Sequence, residues 1–161
     1  MDRPDRDPFA DAVTAFVALA WLGMLIGVSF LATPVKFQAP SLELPVALEV
    51  GSVTFAAFST VEWGLSLGLV ITTFFPRASR TTVSLSAAVV AIVTLQALWL
   101  LPALEARVAA VVAGSPLPPS AHHTIYAGLE ITKAQALAAI SLLALFRLGW
   151  RDRQDATAEA P

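Results

Sequence analysis

Four long stretches of apolar residues follow one another along the chain, separated by short segments rich in proline and polar residues. A helix needs roughly 20 apolar residues to cross the hydrocarbon core of a bilayer, and each stretch reaches that length. Because the stretches are far too long for strands, we predict an all-α fold, an integral membrane four-helix antiparallel bundle. The predicted spans are about 12–33, 46–75, 82–104 and 123–146.

Helix-breaking residues agree with these boundaries. The prolines near the spans lie at or outside the predicted span ends, and none lies at a span centre. They are Pro34, Pro45, Pro76, Pro102, Pro116, Pro118 and Pro119. The third helix is expected to continue to about Val112 before Gly114 ends it.

Composition supports a membrane protein. The chain has 161 residues, of which 57% are hydrophobic and 14% charged, where a soluble domain carries about 25% charged residues. We predict one membrane domain, 12–147, between a solvated tail at 1–11 and another at 148–161. The net charge of −2 excludes a basic nucleic-acid-binding domain, and the absence of cysteine excludes a disulfide-stapled scaffold and thiolate chemistry.

The distribution of charge predicts the orientation. Of the 22 charged residues (10 Lys and Arg, 12 Asp and Glu), 18 lie outside the four spans. One side holds seven basic residues and the other holds two, Lys36 and Arg107, and the more basic side faces the cytoplasm. Both termini are therefore predicted to be cytoplasmic. The seven are Arg3, Arg6, Arg77, Arg80, Arg147, Arg151 and Arg153.

Four charged residues lie inside the spans: Glu49, Glu62, Glu130 and Lys133. At a rise of about 1.5 Å per residue, Glu62 and Lys133 lie at similar depths, and Glu130 is one turn from Lys133. We therefore expect a buried cluster of Glu62, Glu130 and Lys133. A second, shallower cluster near the start of the fourth span is expected to contain Glu49, His122, His123 and Tyr126.

Two interpretations of the deep cluster are open. Ionisable side chains inside a membrane commonly mark an ion or substrate pathway. One ammonium between two carboxylates can instead be a structural ion-pair network that fixes which helices pack together. Because two carboxylates face one ammonium, one of the carboxylates is expected to hold a proton.

Small residues four positions apart occur in two spans. Gly23 and Gly27 lie in the first span, and Gly64 and Gly68 lie in the second. Such faces let helix backbones approach closely in a membrane. They predict either tight packing of the first helix against the second or a seam between two copies of the chain.

Neither a catalytic centre nor a metal or cofactor site is predicted. The two histidines are neighbours at one end of the fourth span, so within one chain they cannot supply haem ligands facing each other across helices. The sequence contains no HxxxH or ExxH spacing. We therefore expect that the protein is not an enzyme.

Several short segments are similar to a known pattern. They cover about 18–147: FLATPVKF ends the first span, LELP precedes the second, VGSVTFAAF lies within it, LWLLPALEAR closes the third, and HHTIYAGLE begins the fourth. The chain resembles a small bacterial family of four-helix membrane proteins of unknown function, distantly similar to eukaryotic transmembrane protein 205. The resemblance implies the four-helix fold and the bacterial plasma membrane. Glu130 and Lys133 depart from the family, whose fourth span carries polar amides.

Two functional predictions follow from these observations. The first is a multi-pass membrane protein without catalytic activity, whose buried Glu/Lys network organises the bundle or an interface with a partner membrane protein. The alternative is a small proton- or cation-coupled transporter that acts as a homodimer, with Glu62 as the proton-carrying carboxylate. Expected partners are the lipid bilayer and a second copy or another membrane protein, and no nucleic acid.

Overall fold

Four long helices make up the fold. The structure, a computed structural model, describes residues 7–74 and 78–158, without the side chains of 151–158. The helices are α1, Pro8–Lys36; α2, Leu44–Phe74; α3, Arg80–Val112; and α4, His122–Ala158. Each is long and apolar enough to cross a membrane, and no strand occurs among the described residues. The predicted all-α class is therefore confirmed, and so is the presence of four helices long and apolar enough to cross a membrane.

Parts of the predicted topology lie outside the described residues. They include the ends of both predicted tails and Pro76. Helix α4 continues to Ala158, so the segment predicted as a C-terminal tail starts as an extension of the helix. Arg3, Arg6 and Arg77 lie outside the described residues, and so do the side chains of Arg151 and Arg153.

Local signals explain where the helices begin and end. The carboxylate of Asp7 accepts a hydrogen bond from the Phe9 amide at the start of α1, at 3.0 Å. The hydroxyl of Ser79 accepts one from the Thr82 amide at the start of α3, at 3.1 Å. These side chains satisfy amides that have no partner within the helix. Beyond the end of α3, Gly114 adopts a φ of 74°, as a helix-ending glycine does.

Two helices contain a π-helical segment immediately before a proline. In α1 the segment is Ile26–Ala32, followed by Thr33 and Pro34; in α3 it is Gln96–Leu100, followed by Leu101 and Pro102. Proline lacks an N–H and its ring crowds the preceding turn, and a widened turn relieves that crowding. Pro102 consequently lies inside a continuous helix, as expected from the continuation of the third helix to Val112, and Pro34 lies two residues before the end of α1.

The helices pack side by side. Each helix contacts the next one along the chain, and α1 contacts α4. Large apolar side chains cover the outside; Phe16, Leu67, Leu98 and Phe146 are each more than 60% exposed. Such a surface suits contact with lipid rather than water.

The apolar core receives side chains from all four helices. Trp21, the largest of the fully buried side chains, lies at its centre, near the middle of α1. The core lies between two sets of polar contacts, one around Lys133 and one around Arg147. The buried members of the core are Ala18, Trp21, Leu25, Phe58, Leu69, Val89, Val93, Leu137 and Ile140.

Candidate functional site

Lys133 is the centre of a buried polar network. Its side chain is fully buried, and its ammonium contacts three acceptors: Glu62 Oε1 at 2.5 Å, Glu130 Oε1 at 2.6 Å and Gln96 Oε1 at 2.9 Å. An ammonium has three N–H donors, so each can meet one oxygen. The structure brings Glu62, Glu130 and Lys133 of the predicted cluster together, and Gln96 joins them.

The two carboxylates have further partners. Glu130 accepts from the Gln96 amide at Oε1, at 2.9 Å, and from the Ser29 hydroxyl at Oε2, at 2.5 Å. Glu62 accepts from the indole N–H of Trp21 at Oε1, at 3.1 Å. Both glutamates are at most 2% exposed. Buried charges are tolerated when they are paired and hydrogen-bonded, and these contacts meet that condition.

The π-helical segments position two members of the network. Ser29 lies within the segment Ile26–Ala32 of α1, and Gln96 is the first residue of the segment Gln96–Leu100 of α3. The two side chains meet the same carboxylate, that of Glu130. Widened helical turns occur frequently at functional sites, because they re-aim side chains out of the regular helical spacing.

A groove reaches the network from the end of the bundle where α4 begins. It has a volume of about 530 Å³ and lies between α1, α2 and α4. Its wall runs from the exposed residue His123 to the buried residue Glu130, two turns further along α4. The other lining residues are Ser29, Phe30, Thr33, Pro34, Phe37, Leu48, Phe55, Tyr126 and Ala127.

The predicted shallow cluster does not form. Glu49 is exposed, and among the described residues no contact joins it to either histidine. His122 approaches the Ser120 hydroxyl at 3.0 Å, and Tyr126 packs edge-on against Phe55. The reason lies on α2: at about 100° per residue, Glu49 is roughly 140° around the helix from the inward-facing Glu62.

A second polar contact set lies at the other end of the same helices. Asp11 of α1 is fully buried, and its Oδ1 lies 3.5 Å from Nη1 of Arg147 on α4. Arg147 also donates from Nη2 to the hydroxyls of Ser79 at 2.7 Å and Thr82 at 3.2 Å. Arg147 therefore ties α1, the start of α3 and α4 together.

The four glycines are largely outside the helix contacts of the single chain. A side chain at Gly23, Gly27 or Gly64 would meet no atom within 4 Å, whereas one at Gly68 would contact Val17 of α1 at 3.8 Å. The tight pairing of the first two helices at these glycines, one of the two alternatives, is therefore wrong for all but Gly68. The seam between two copies stays a prediction.

Two buried hydroxyl groups have no hydrogen-bond partner among the described residues: those of Ser66 on α2 and Ser86 on α3. We expect Ser66→Ala and Ser86→Ala to leave the free energy of unfolding unchanged or to raise it by up to about 1 kcal/mol. Unfolding in mixed maltoside and dodecyl sulfate micelles, followed by circular dichroism, measures this. Ser29→Ala is the control and is expected to lower that free energy, because Ser29 donates to Glu130. A loss for Ser66→Ala equal to that for Ser29→Ala would contradict the prediction.

Sequence reasoning missed three contributors to these sites. Gln96 is the one carboxamide in the predicted third span, a signal that could have been used. Asp11 was assigned to the solvated N-terminal tail, although it lies one residue before the first span. Ser29 gave no signal, because serines are common in these helices.

Fold and site together define a class: an all-helical protein with four helices suited to crossing a membrane and a buried Glu/Lys network between them. The described residues include no group of three or more His, Asp or Glu residues that could hold a metal ion. No protein-family model, curated protein or solved structure matches the chain. The resemblance to the family of transmembrane protein 205 stays a prediction.

Proposed function

We propose that the chain is a multi-pass protein of the bacterial plasma membrane with both termini in the cytoplasm and antiparallel helices. Two contacts support the antiparallel arrangement of α1 and α4. Asp11, near the start of α1, meets Arg147 late in α4, and Ser29, late in α1, meets Glu130 near the start of α4. The excess of seven basic residues over two supports the orientation.

Within that membrane protein, the buried network organises the bundle, and no catalytic step is assigned to it. The observation that carries this proposal is that every helix supplies a member: Trp21 and Ser29 from α1, Glu62 from α2, Gln96 from α3, and Glu130 and Lys133 from α4. Polar contacts between helices specify packing in a membrane, where apolar burial alone discriminates little between partners. The geometry of the network favours one arrangement of the four helices over others.

A second candidate function is proton- or cation-coupled transport by a homodimer. Two observations favour it: the network holds two carboxylates against one ammonium, and the groove brings one of these carboxylates, Glu130, within reach of the surface. Glu62 is the proton-carrying carboxylate in this candidate, and Glu130 is the carboxylate nearest to the groove. Lys133 contacts both and would couple them.

One experiment separates the two candidates. The purified chain is reconstituted into liposomes that contain a pH-sensitive dye, and wild type is compared with Glu62→Gln and Lys133→Gln. An organising network predicts no proton flux with any candidate substrate and lower stability for both variants. Transport predicts substrate-dependent flux that Glu62→Gln abolishes while the protein stays folded. The matched control is Glu49→Gln, which removes an exposed carboxylate from the same helix and should change neither readout.

A further inference from the structure

The inner end of the groove is polar. Its volume of about 530 Å³ falls within the roughly 300–1,000 Å³ that ligand pockets occupy. The carboxylate of Glu130 and the hydroxyl of Ser29 meet there, while most of the remaining wall is apolar. A pocket of this kind holds an apolar body and orients one polar group.

The polar groups at this end are rich in oxygen atoms. Besides Glu130 and Ser29, the wall includes Pro34, which has no N–H to donate to a carbonyl of the preceding turn. The π-helical segment of α1 ends next to this proline, and the Thr33 amide donates to the carbonyl of Val28. The inner end of the groove therefore presents the carboxylate of Glu130 and the hydroxyl of Ser29, and Pro34 in its wall has no N–H that would repel a cation.

Aromatic rings line the rest of the groove. Phe30, Phe37, Phe55 and Tyr126 belong to its wall, and neither lysine nor arginine is among the described lining residues. The faces of aromatic rings attract cations within about 6 Å. At the rim the Lys36 ammonium lies 5.1 Å from the centre of the Phe37 ring, so one of these rings already makes such a contact.

We propose that this groove binds an organic cation, a molecule with an ammonium group on an apolar body. The ammonium would lie at Glu130 and Ser29, and the apolar body would lie against the phenylalanine rings. The oxygen atoms of Glu130 and Ser29 support a cation, because both can accept a hydrogen bond from an ammonium. The proposal rests on the groove and on Glu130 and does not require transport.

Three probes with the same apolar body and different charge test the proposal. They are 4-phenylbutylammonium, 4-phenylbutanol and 4-phenylbutyrate, titrated calorimetrically into the full chain in a neutral maltoside detergent. The ammonium is expected to bind saturably, at one molecule per chain, and at least tenfold more tightly than the alcohol or the carboxylate. Equal binding of all three would overturn the proposal, because the groove would then recognise only the apolar body.

Variants place the binding in the groove. Ala127→Leu adds bulk to the wall of the groove and keeps every residue of the network, and it is expected to abolish ammonium binding while the thermal stability stays close to that of wild type. Glu130→Gln is expected to weaken binding at least tenfold, and Phe37→Leu to weaken it severalfold. The matched control, Glu49→Gln, removes an exposed carboxylate outside the groove and should bind like wild type. Ammonium binding that survives Ala127→Leu in the folded protein would also overturn the proposal.

The same ammonium chemistry has two natural sources, a free amphipathic amine and the headgroup of a lipid. Adding phosphatidylethanolamine or phosphatidylcholine to the detergent solution distinguishes them. Displacement of 4-phenylbutylammonium by these lipids, but not by phosphatidylglycerol, identifies a lipid headgroup as the occupant. Binding that none of the three lipids affects identifies a free amine.

Discussion

Replacing Lys133 with methionine is expected to lower the free energy of unfolding by about 3–5 kcal/mol. Methionine keeps much of the length of the side chain and removes the charge. Because the ammonium is fully buried, its loss leaves Glu62 and Glu130 facing each other without their shared counter-charge. Unfolding of the purified protein in mixed maltoside and dodecyl sulfate micelles, followed by circular dichroism, measures the change.

A double-mutant cycle attributes this loss to the contact itself. Glu62→Gln removes one of the two carboxylates, so Lys133→Met should cost less in that background than in wild type. We expect a coupling of at least about 1 kcal/mol, as for other directly contacting residues. Lys133→Met combined with Glu49→Gln is the control and should be additive, because Glu49 is exposed. Additivity between Glu62 and Lys133 would contradict the pairing.

Replacing Gln96 with leucine is expected to lower the free energy of unfolding by about 2–3 kcal/mol. A hydrogen bond to a charged group contributes about 1.5–3 kcal/mol to stability, and hydrogen bonds between membrane helices contribute amounts at or below that range. The amide of Gln96 donates to Glu130 and its oxygen accepts from Lys133. Leucine removes both contacts and leaves both charges less well satisfied. The same unfolding measurement gives the result.

A second glutamine in the chain provides the control. Gln135 lies on α4, two residues after Lys133, and is exposed rather than buried. The same replacement, Gln135→Leu, should leave the stability of the single chain unchanged or raise it, because leucine suits contact with lipid or detergent better than an amide does. If Gln96→Leu and Gln135→Leu behaved alike, the loss could not be assigned to the network.

The four helices and the centre of the network could be predicted from the sequence. Continuous apolar stretches give the helices, because the bilayer requires a minimum length and internal hydrogen bonding. The contact between Glu62 and Lys133 follows from depth, since both lie near the middle of their spans. A charge at that depth needs a partner, and the sequence offers few candidates.

The remaining features depend on geometry that hydrophobic patterns do not contain. Ser29 and Gln96 lie in the π-helical segments, and nothing in the hydrophobic pattern indicates that both meet the carboxylate of Glu130. The shallow cluster was expected from depth alone. Glu49 fails to join it because it points away from the bundle, and its angle from Glu62 could have shown this beforehand.

The polar contact set around Asp11 and Arg147 was missed for a different reason. Asp11 was counted with the charged tail, and Arg147 was used only as a marker of orientation. Within the structure the two are partners, and Asp11 is fully buried. A charged residue next to a span end can therefore be buried between helices, as Asp11 is between α1 and α4.

The placement of Lys133 on α4 has a consequence for how the protein is made. Synthesis begins at the N-terminus, so α2 and α3, with Glu62 and Gln96, leave the ribosome before the residue that both of them contact. Until α4 follows, Glu62 lies in a nascent protein that contains no cation at its depth. We therefore expect the three earlier helices to reach their final arrangement only after the fourth helix arrives.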